Sequence, residues 1–314
     1  MASLRDIRRR IKSVVSIKQI TRAMEMVATT KLRRFQGRAQ ASRPFAAEIE
    51  KIVSRLAGAV PEGTSPLLQK STDTKNSDTK KDGAIGIVVV TSDRGLCGAY
   101  NTNLLAFVHR YLRERGLETP GSDPKLLASK VKLYIFGKKG YTYFMKRGYD
   151  VKTYFAEPPL EKYRYQDVRI VAKQLVNDFT AGVVSEIQII STRFESMVTF
   201  RPARAQWLPV APPAAGKDAN SKDLKANENS DAIIEPNAEH LLQKLVPKYL
   251  EMKLWNILLE SLTSEYASRR VSMKNATDAA DEMRGGLLRT YNKARQETIT
   301  KQILEIVGGA EALK

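Results

Sequence analysis

Apolar residues at Leu4, Ile7, Ile11, Val14, Ile17, Ile20, Met24 and Val27 recur at steps of three and four. That spacing draws one stripe along a helix, as in a coiled coil with stutters. Ser3 with Asp6 three residues on predicts its capped start. The stripe continues through Leu32, Phe35, Ala39, Phe45, Ile49, Ile52 and Leu56, with a kink expected at Pro44. Ala57–Pro61 ends it. A second stripe begins near Asn237: Leu250, Leu254, Leu258 and Leu262, then a small-residue stretch at 267–280, then Met283, Leu287, Tyr291, Ala294, Thr298, Ile303 and Ile306. Pro247 predicts a new start or a kink there, and Gly285-Gly286 a weak point. Some 60 helical residues reach ~90 Å, too long to stand without a partner helix. The two terminal helices are each other's available partners, so they should form an antiparallel coiled coil.

The middle of the chain has a different rhythm. Ile85–Thr91 (IGIVVVT) reads as a buried strand, Ser92–Gly98 as a tight loop and Tyr100–Arg115 as a helix. A strand follows at 131–136, a short helix at 138–146, a strand at 151–155, a helix at 165–179 and a strand at 186–191. Ser196–Arg201 and Ala205–Val210 read as a pair of extended segments. Strands alternating with helices argue for an α/β layer with a mainly parallel sheet. The expected organisation is a coiled-coil helix over 1–60, a polar linker over 61–83, a Rossmann-like α/β domain over 84–210, a low-complexity loop over 211–236 and a long helix over 237–314.

Charge sharpens this picture. The 314 residues carry 52 Lys+Arg against 34 Asp+Glu, a net of +18. Residues 1–60 hold +10 of it, whereas 232–314 hold +1. An acidic partner is therefore expected: nucleic acid, anionic lipid or an acidic protein surface. The basic clusters Arg8–Arg10 and Lys31, Arg33, Arg34, Arg38 could contact nucleic acid, but aromatic interleaving is poor and apolar residues run between the charges. A solvated coiled-coil face accounts for them better. No run approaches the ~18 apolar residues of a membrane span. The basic first segment differs from a transit peptide in its helical length and in Glu25, Glu48 and Glu50.

Candidate chemistry is sparse. One Cys excludes a disulfide framework, and His109 and His240 lie far apart. There is no phosphate-binding Gly-Lys-Ser/Thr loop, dinucleotide fingerprint or nucleophile elbow. The loop carrying Asp93, Arg94, Gly95, Cys97 and Gly98 invites an active-site reading, since such loops bind ligands in α/β folds. The plainer reading is structural: the glycines turn, Asp93 pairs with Arg94, and Cys97 packs.

Three blocks carry a resemblance. Ile17–Lys31 (IKQITRAMEMVATTK), Ser92–Asn101 (SDRGLCGAYN), and Ser264–Asp278 (SEYASRRVSMKNATD) with Tyr291–Gln296 (YNKARQ) and Ile303–Ala310 (ILEIVGGA) resemble, in order and spacing, the gamma subunit of F-type ATP synthase. The resemblance implies a central rotor shaft that couples proton-driven rotation of a c-ring to ATP synthesis or hydrolysis. It implies one copy among three alpha and three beta subunits, with an epsilon subunit beside it. Catalysis would belong to beta, so no catalytic residue, cofactor or metal is expected here, and no nucleic acid. Contacts to beta are expected at Arg9, Met24, Lys31, Arg33, Arg34, Arg295 and Gln296. An apolar bearing tip is expected at Ile303, Ile306 and Val307. Contacts to the c-ring and epsilon are expected from Arg193, Phe194, Glu195, Arg204 and Trp207. The start without a transit extension fits the bacterial form, which implies the cytoplasmic face of the plasma membrane, reached through the c-ring. The paired cysteines of the chloroplast type are absent. The stretches 71–83 and 211–230 are longer than the family needs.

Overall fold

The computed structural model describes residues 3–59, 67–68, 84–118, 130–210 and 237–311. The stretches 71–83 and 211–230, and with them most of the expected linker and loop, lie outside the described residues.

Helix α1 runs unbroken from Leu4 to Ala59 and helix α5 from Ala238 to Glu311. Ser3 caps α1, its Oγ accepting from the Asp6 N–H at 3.2 Å and donating to the Asp6 carboxylate at 2.8 Å. Pro44 and Pro247 are both absorbed inside their helices. Pro247 thus starts no new helix. It sits about two turns into α5, where the chain already packs on both sides through the buried Leu242, Val246 and Leu250.

The helices pair antiparallel. Arg8 lies against Tyr291, Lys18 against Asp281, Thr21 against Thr277, Phe35 against Tyr266 and Ser42 against Asn256. The seam departs from the expected stripe. Ile7, Val14, Ala28, Leu32, Phe35 and Ala39 are buried, yet Ile17, Ile20, Met24 and Val27 are 52, 57, 41 and 55% exposed. The true seam steps by sevens, and its position between Val14 and Ala28 is taken by Thr21. Steps of three and four that favour three drift around the helix, so the apolar stripe leaves the seam. Phe45 and Ile52 leave it likewise, and Val53 takes the buried place.

Between the helices lies a five-stranded sheet in the order β3-β2-β1-β4-β5. Strands β1 (Ala84–Val90), β2 (Val131–Phe136), β3 (Val151–Phe155) and β4 (Val184–Phe194) are parallel, and β5 (Phe200–Leu208) is antiparallel to β4. Helices α2 (Tyr100–Glu114), α3 (Lys138–Lys146) and α4 (Tyr165–Thr180) complete the α/β layer. The two short extended segments expected at 196–201 and 205–210 are instead one hairpin, Phe194 opposite Phe200, with the turn at 195–199. The long Val184–Phe194 strand supplies the partner that the sequence pattern assigned to 196–201.

One face of the sheet packs α2 and α3, burying Leu104, Val108, Leu112 and Phe144. The other packs α4 and the coiled coil, in a larger core that joins Phe35, Phe136, Val168, Trp207, Leu250 and Leu258.

Candidate functional site

A parallel sheet in this order has its natural ligand crevice where strand order reverses, beyond the carboxyl ends of β1 and β4. Here α5 fills that crevice. Eight consecutive residues, Ser261–Ser268, are buried, which requires packing on every side of the helix. Most are small enough to let the helix approach the strand ends. Ser264 Oγ donates to the Thr192 carbonyl at 3.1 Å, and Ser268 Oγ donates to the Cys97 carbonyl at 2.6 Å. The Tyr100 hydroxyl lies 2.7 Å from Ser261 Oγ. Lower on the helix, Trp207 Nε1 donates to the Leu250 carbonyl at 3.1 Å and Lys253 Nζ to the Gln206 carbonyl at 2.8 Å. A domain held at both ends of this row of polar contacts, with an apolar core between, is rigidly joined to the shaft.

The 92–98 loop belongs to that joint. Asp93 and Arg94 do not pair. Asp93 Oδ1 accepts from the Lys138 N–H at 3.1 Å and Oδ2 from the Leu160 N–H at 3.2 Å, because two backbone donors at the start of α3 and of the turn Leu160–Lys162 converge on it. The carbonyls of Arg94 and Gly95 accept from Arg269. Left-handed backbone falls on Leu96 and Gly98 rather than Gly95. At Gly98 a Cβ would stand 2.5 Å from Ser272 Oγ, so the loop touches the helix closely there. Cys97 is buried, and burial pushes its thiol up, away from reactive thiolate. Asn101 Nδ2 donates to Ser92 Oγ at 2.7 Å and braces the loop.

An ionic network flanks the joint. Lys31 on α1 pairs with Glu161, which also accepts from the Tyr266 hydroxyl. Burial alone would raise the Glu161 carboxyl, but the bonds from Lys31 and Tyr266 outweigh it and hold the group below its usual range. Glu265 pairs with Arg269 at 2.6 Å. Burial pushes Glu265 up to about 7, against the pull of Arg269. Lys31 therefore serves within the chain, and its side chain is a half-buried ion-pair partner. The acidic members of this network carried no sequence signal beyond the four-residue spacing of Glu265 and Arg269.

The outer surface of α1 is basic: Arg33 and Arg34 are exposed near the joint, and Arg9, four-fifths exposed near the helix start, pairs with Asp6. Met24 stands in the exposed apolar stripe Ile17, Ile20, Met24, Val27, all on one side of the helix. The outermost cross-pair is Arg8 Nη2 donating to Tyr291 OH at 2.7 Å, so α1 runs out opposite Arg295. Arg295 and Gln296 thus mark the place where two helices become one. From there α5 projects alone for about 24 Å, at ~1.5 Å per residue. Ile303, Ile306 and Val307 are exposed on this overhang, with Ile299 and Leu304.

The hairpin residues divide. Arg193, Glu195 and Arg204 are exposed, Phe194 is half-buried, and Arg204 lies over the Tyr111 ring at 5.0 Å. Trp207 is wholly buried between β5 and α5, so its side chain is core and offers no surface. Among the described residues no group of three or more metal-ligating side chains occurs, and no helix is long and apolar enough to cross a membrane.

Comparison with known proteins adds the family context. The ATP synthase family model matches residues 3–313. The ATP synthase gamma chain of Chloroherpeton thalassium is 39% identical over 317 residues, covering 100% of this chain and 99% of the relative. That of Moorella thermoacetica is 38% identical with both chains fully covered. Among solved structures, a chain of the Euglena gracilis mitochondrial ATP synthase covers 99% of this chain and 94% of its own length, at TM-score 0.63 and 21% identity. A chain of the Tetrahymena thermophila mitochondrial ATP synthase central stalk and c-ring covers 82% of this chain and 99% of its own, at TM-score 0.54 and 22% identity.

Proposed function

The chain belongs to the ATP synthase gamma-chain family, and on that premise we propose how its surfaces divide the work of a rotary shaft. The observation that carries the reading is the overhang. A helix whose Ile299, Ile303, Leu304, Ile306 and Val307 are exposed over its last turns presents the kind of apolar surface that marks an interaction site, suited to a surrounding sleeve. Low charge at its end suits rotation, because fixed ion pairs would create preferred stopping angles. Below it, Arg9, Arg33 and Arg34 and the stripe around Met24 would face the acidic and apolar inner surface of the beta subunits. Arg295 and Gln296 would make polar contacts where the coiled coil gives way to the single helix.

The α/β domain is the foot. Its β4–β5 hairpin, with Arg193, Glu195 and Arg204 exposed, would meet the c-ring and epsilon subunit. Torque entering there would pass to α5 through the Ser264, Ser268 and Trp207 contacts. The chain would sit as one copy among three alpha and three beta subunits, peripheral to the cytoplasmic face of the membrane through the c-ring. Nucleotide chemistry would remain with beta, the crevice of this chain's own sheet being filled by α5. Nothing in the comparisons supports the nucleic-acid reading of the basic helix.

Reconstitution tests this. The full chain mixed with purified alpha and beta subunits should give a complex whose native mass holds one copy per three alpha–beta pairs. Its ATPase activity should require all three components, the chain alone having none. A different ratio, or hydrolysis by the chain alone, would overturn the reading.

A further inference from the structure

Beside the filled crevice, beyond the carboxyl ends of β1, β2 and β3, the foot and the shaft enclose a second space of about 480 Å³. That is the size of small-molecule sites. Its walls come from both bodies: Asp93, Lys138 and Tyr154 from the domain, Leu262, Glu265 and Arg269 from α5.

Each carboxylate facing this space is already satisfied. Asp93 takes two backbone N–H groups, Glu161 takes Lys31 and Tyr266, and Glu265 takes Arg269. Three further cations line the rim. Arg94, Lys138 and Lys162 are exposed and make no ion pair within 4 Å among the described residues, although Arg94 is near enough to help hold the Glu161 carboxyl down. Three such cations lining one partly enclosed space attract an anion of more than one charge. The α3 N-terminus is closed to it by Asp93, so the anion would sit on the side-chain rim. Tyr154, stacked on Tyr141 at 4.2 Å and thereby held rigid, offers a flat wall beside the rim, and Leu262 an apolar one.

We infer that this cavity is a binding site for a small phosphate-bearing anion, held by Arg94, Lys138 and Lys162 at the seam between foot and shaft. Because Leu262 and Arg269 of α5 complete the wall of a site whose three cations belong to the foot, an anion that binds the closed cavity favours the docked arrangement by mass action. The site binds; it performs no chemistry.

Calorimetric titration of the full-length chain with inorganic phosphate and, separately, with adenosine monophosphate tests this. Saturable one-to-one binding is expected, with the thermal midpoint rising as the site fills. The exposed double variant Lys138→Ala/Lys162→Ala should weaken it about tenfold or more, whereas Lys146→Ala, at the far end of α3, should leave it unchanged. Tighter binding of the monophosphate would place an organic group on Tyr154, and equal binding would make the site one for inorganic phosphate. No saturation by about 10 mM of either probe, or equal loss in the double variant and in Lys146→Ala, would overturn the assignment.

Discussion

Ser268 on the shaft helix donates its hydroxyl proton to the carbonyl oxygen of Cys97 in the foot, at 2.6 Å and out of contact with solvent. Four residues earlier Ser264 does the same to Thr192. The pair lies one helical turn apart and ties α5 to the loop that follows β1 and to β4 near its carboxyl end. Small residues in this stretch are needed twice over: for the close approach, and for the two hydroxyls that answer buried carbonyls.

Removing those hydroxyls should loosen the joint. Ser264→Ala or Ser268→Ala leaves a buried carbonyl without its donor, at a cost of about 1–3 kcal/mol each. Urea unfolding of the chain measures it. If both losses stay within the error of a surface substitution, the two bonds do not hold the joint.

Gly98 should resist replacement for two separable reasons. Its φ is +57, and an added Cβ meets Ser272 Oγ. Gly98→Ala should cost roughly 1–2 kcal/mol from the backbone alone. Adding Ser272→Ala should relieve the contact and leave that backbone cost, which the double variant's unfolding midpoint reveals.

The Gly285-Gly286 pair makes the opposite prediction. Both lie within an intact helix, and a Cβ at either meets nothing within 4 Å. Gly→Ala at each should stabilise α5 by roughly 1 kcal/mol. Urea unfolding and helical circular dichroism check this. A loss of stability would mean that the pair is packed against something.

Glu265 gives the joint a pH dependence. In the folded chain it keeps its proton up to about 7, against an ordinary value of 4.5. The folded state therefore holds the extra proton between those values, and its contribution is present below the lower one and lost as pH rises through the upper. Arg269 opposes this, while Asp93 and Glu161 add to it. The wild-type urea midpoint, measured against that of Glu265→Gln, should fall between about pH 5 and about pH 8. A constant difference would mean that the Arg269 pair keeps Glu265 ionised throughout.

The exposed stripe should be silent in the isolated chain. Ile17, Ile20, Met24 and Val27 stand beside the buried seam, 41–57% exposed, so replacing any one by Ser should change stability by no more than about 0.5 kcal/mol. Its cost should appear instead as weaker assembly with alpha and beta subunits, read by native mass. A large loss of stability in the isolated chain would return these residues to the seam.

Much of the architecture was legible from periodicity. The terminal stripes predicted two long helices, and the strand–helix alternation predicted the parallel sheet, because both patterns are written locally in which side of an element is apolar. The seam was only partly legible. Thr21, half-buried, holds the seam position while Ile17 and Ile20 stand outside, which hydrophobicity alone reads the other way round. The Arg8–Tyr291 and Lys18–Asp281 pairs fix the register, and they join residues from opposite ends of the chain.

The candidate site divides along the same line. The sequence by itself determined two long terminal helices, expected over 1–60 and 237–314, the second carrying the apolar Ile303, Ile306 and Val307 near its end; that this end is the one projecting past α1 follows from the register fixed by Arg8 and Tyr291. The sequence also determined the concentration of positive charge on α1. Only the tertiary structure decided that Trp207 is core, that Asp93 turns from Arg94 to two backbone N–H groups, and that α5 occupies the crevice of the sheet. Those outcomes depend on which strand ends lie beside which turn of α5. That proximity is set by packing between segments far apart in the chain, and no local pattern of residues encodes it.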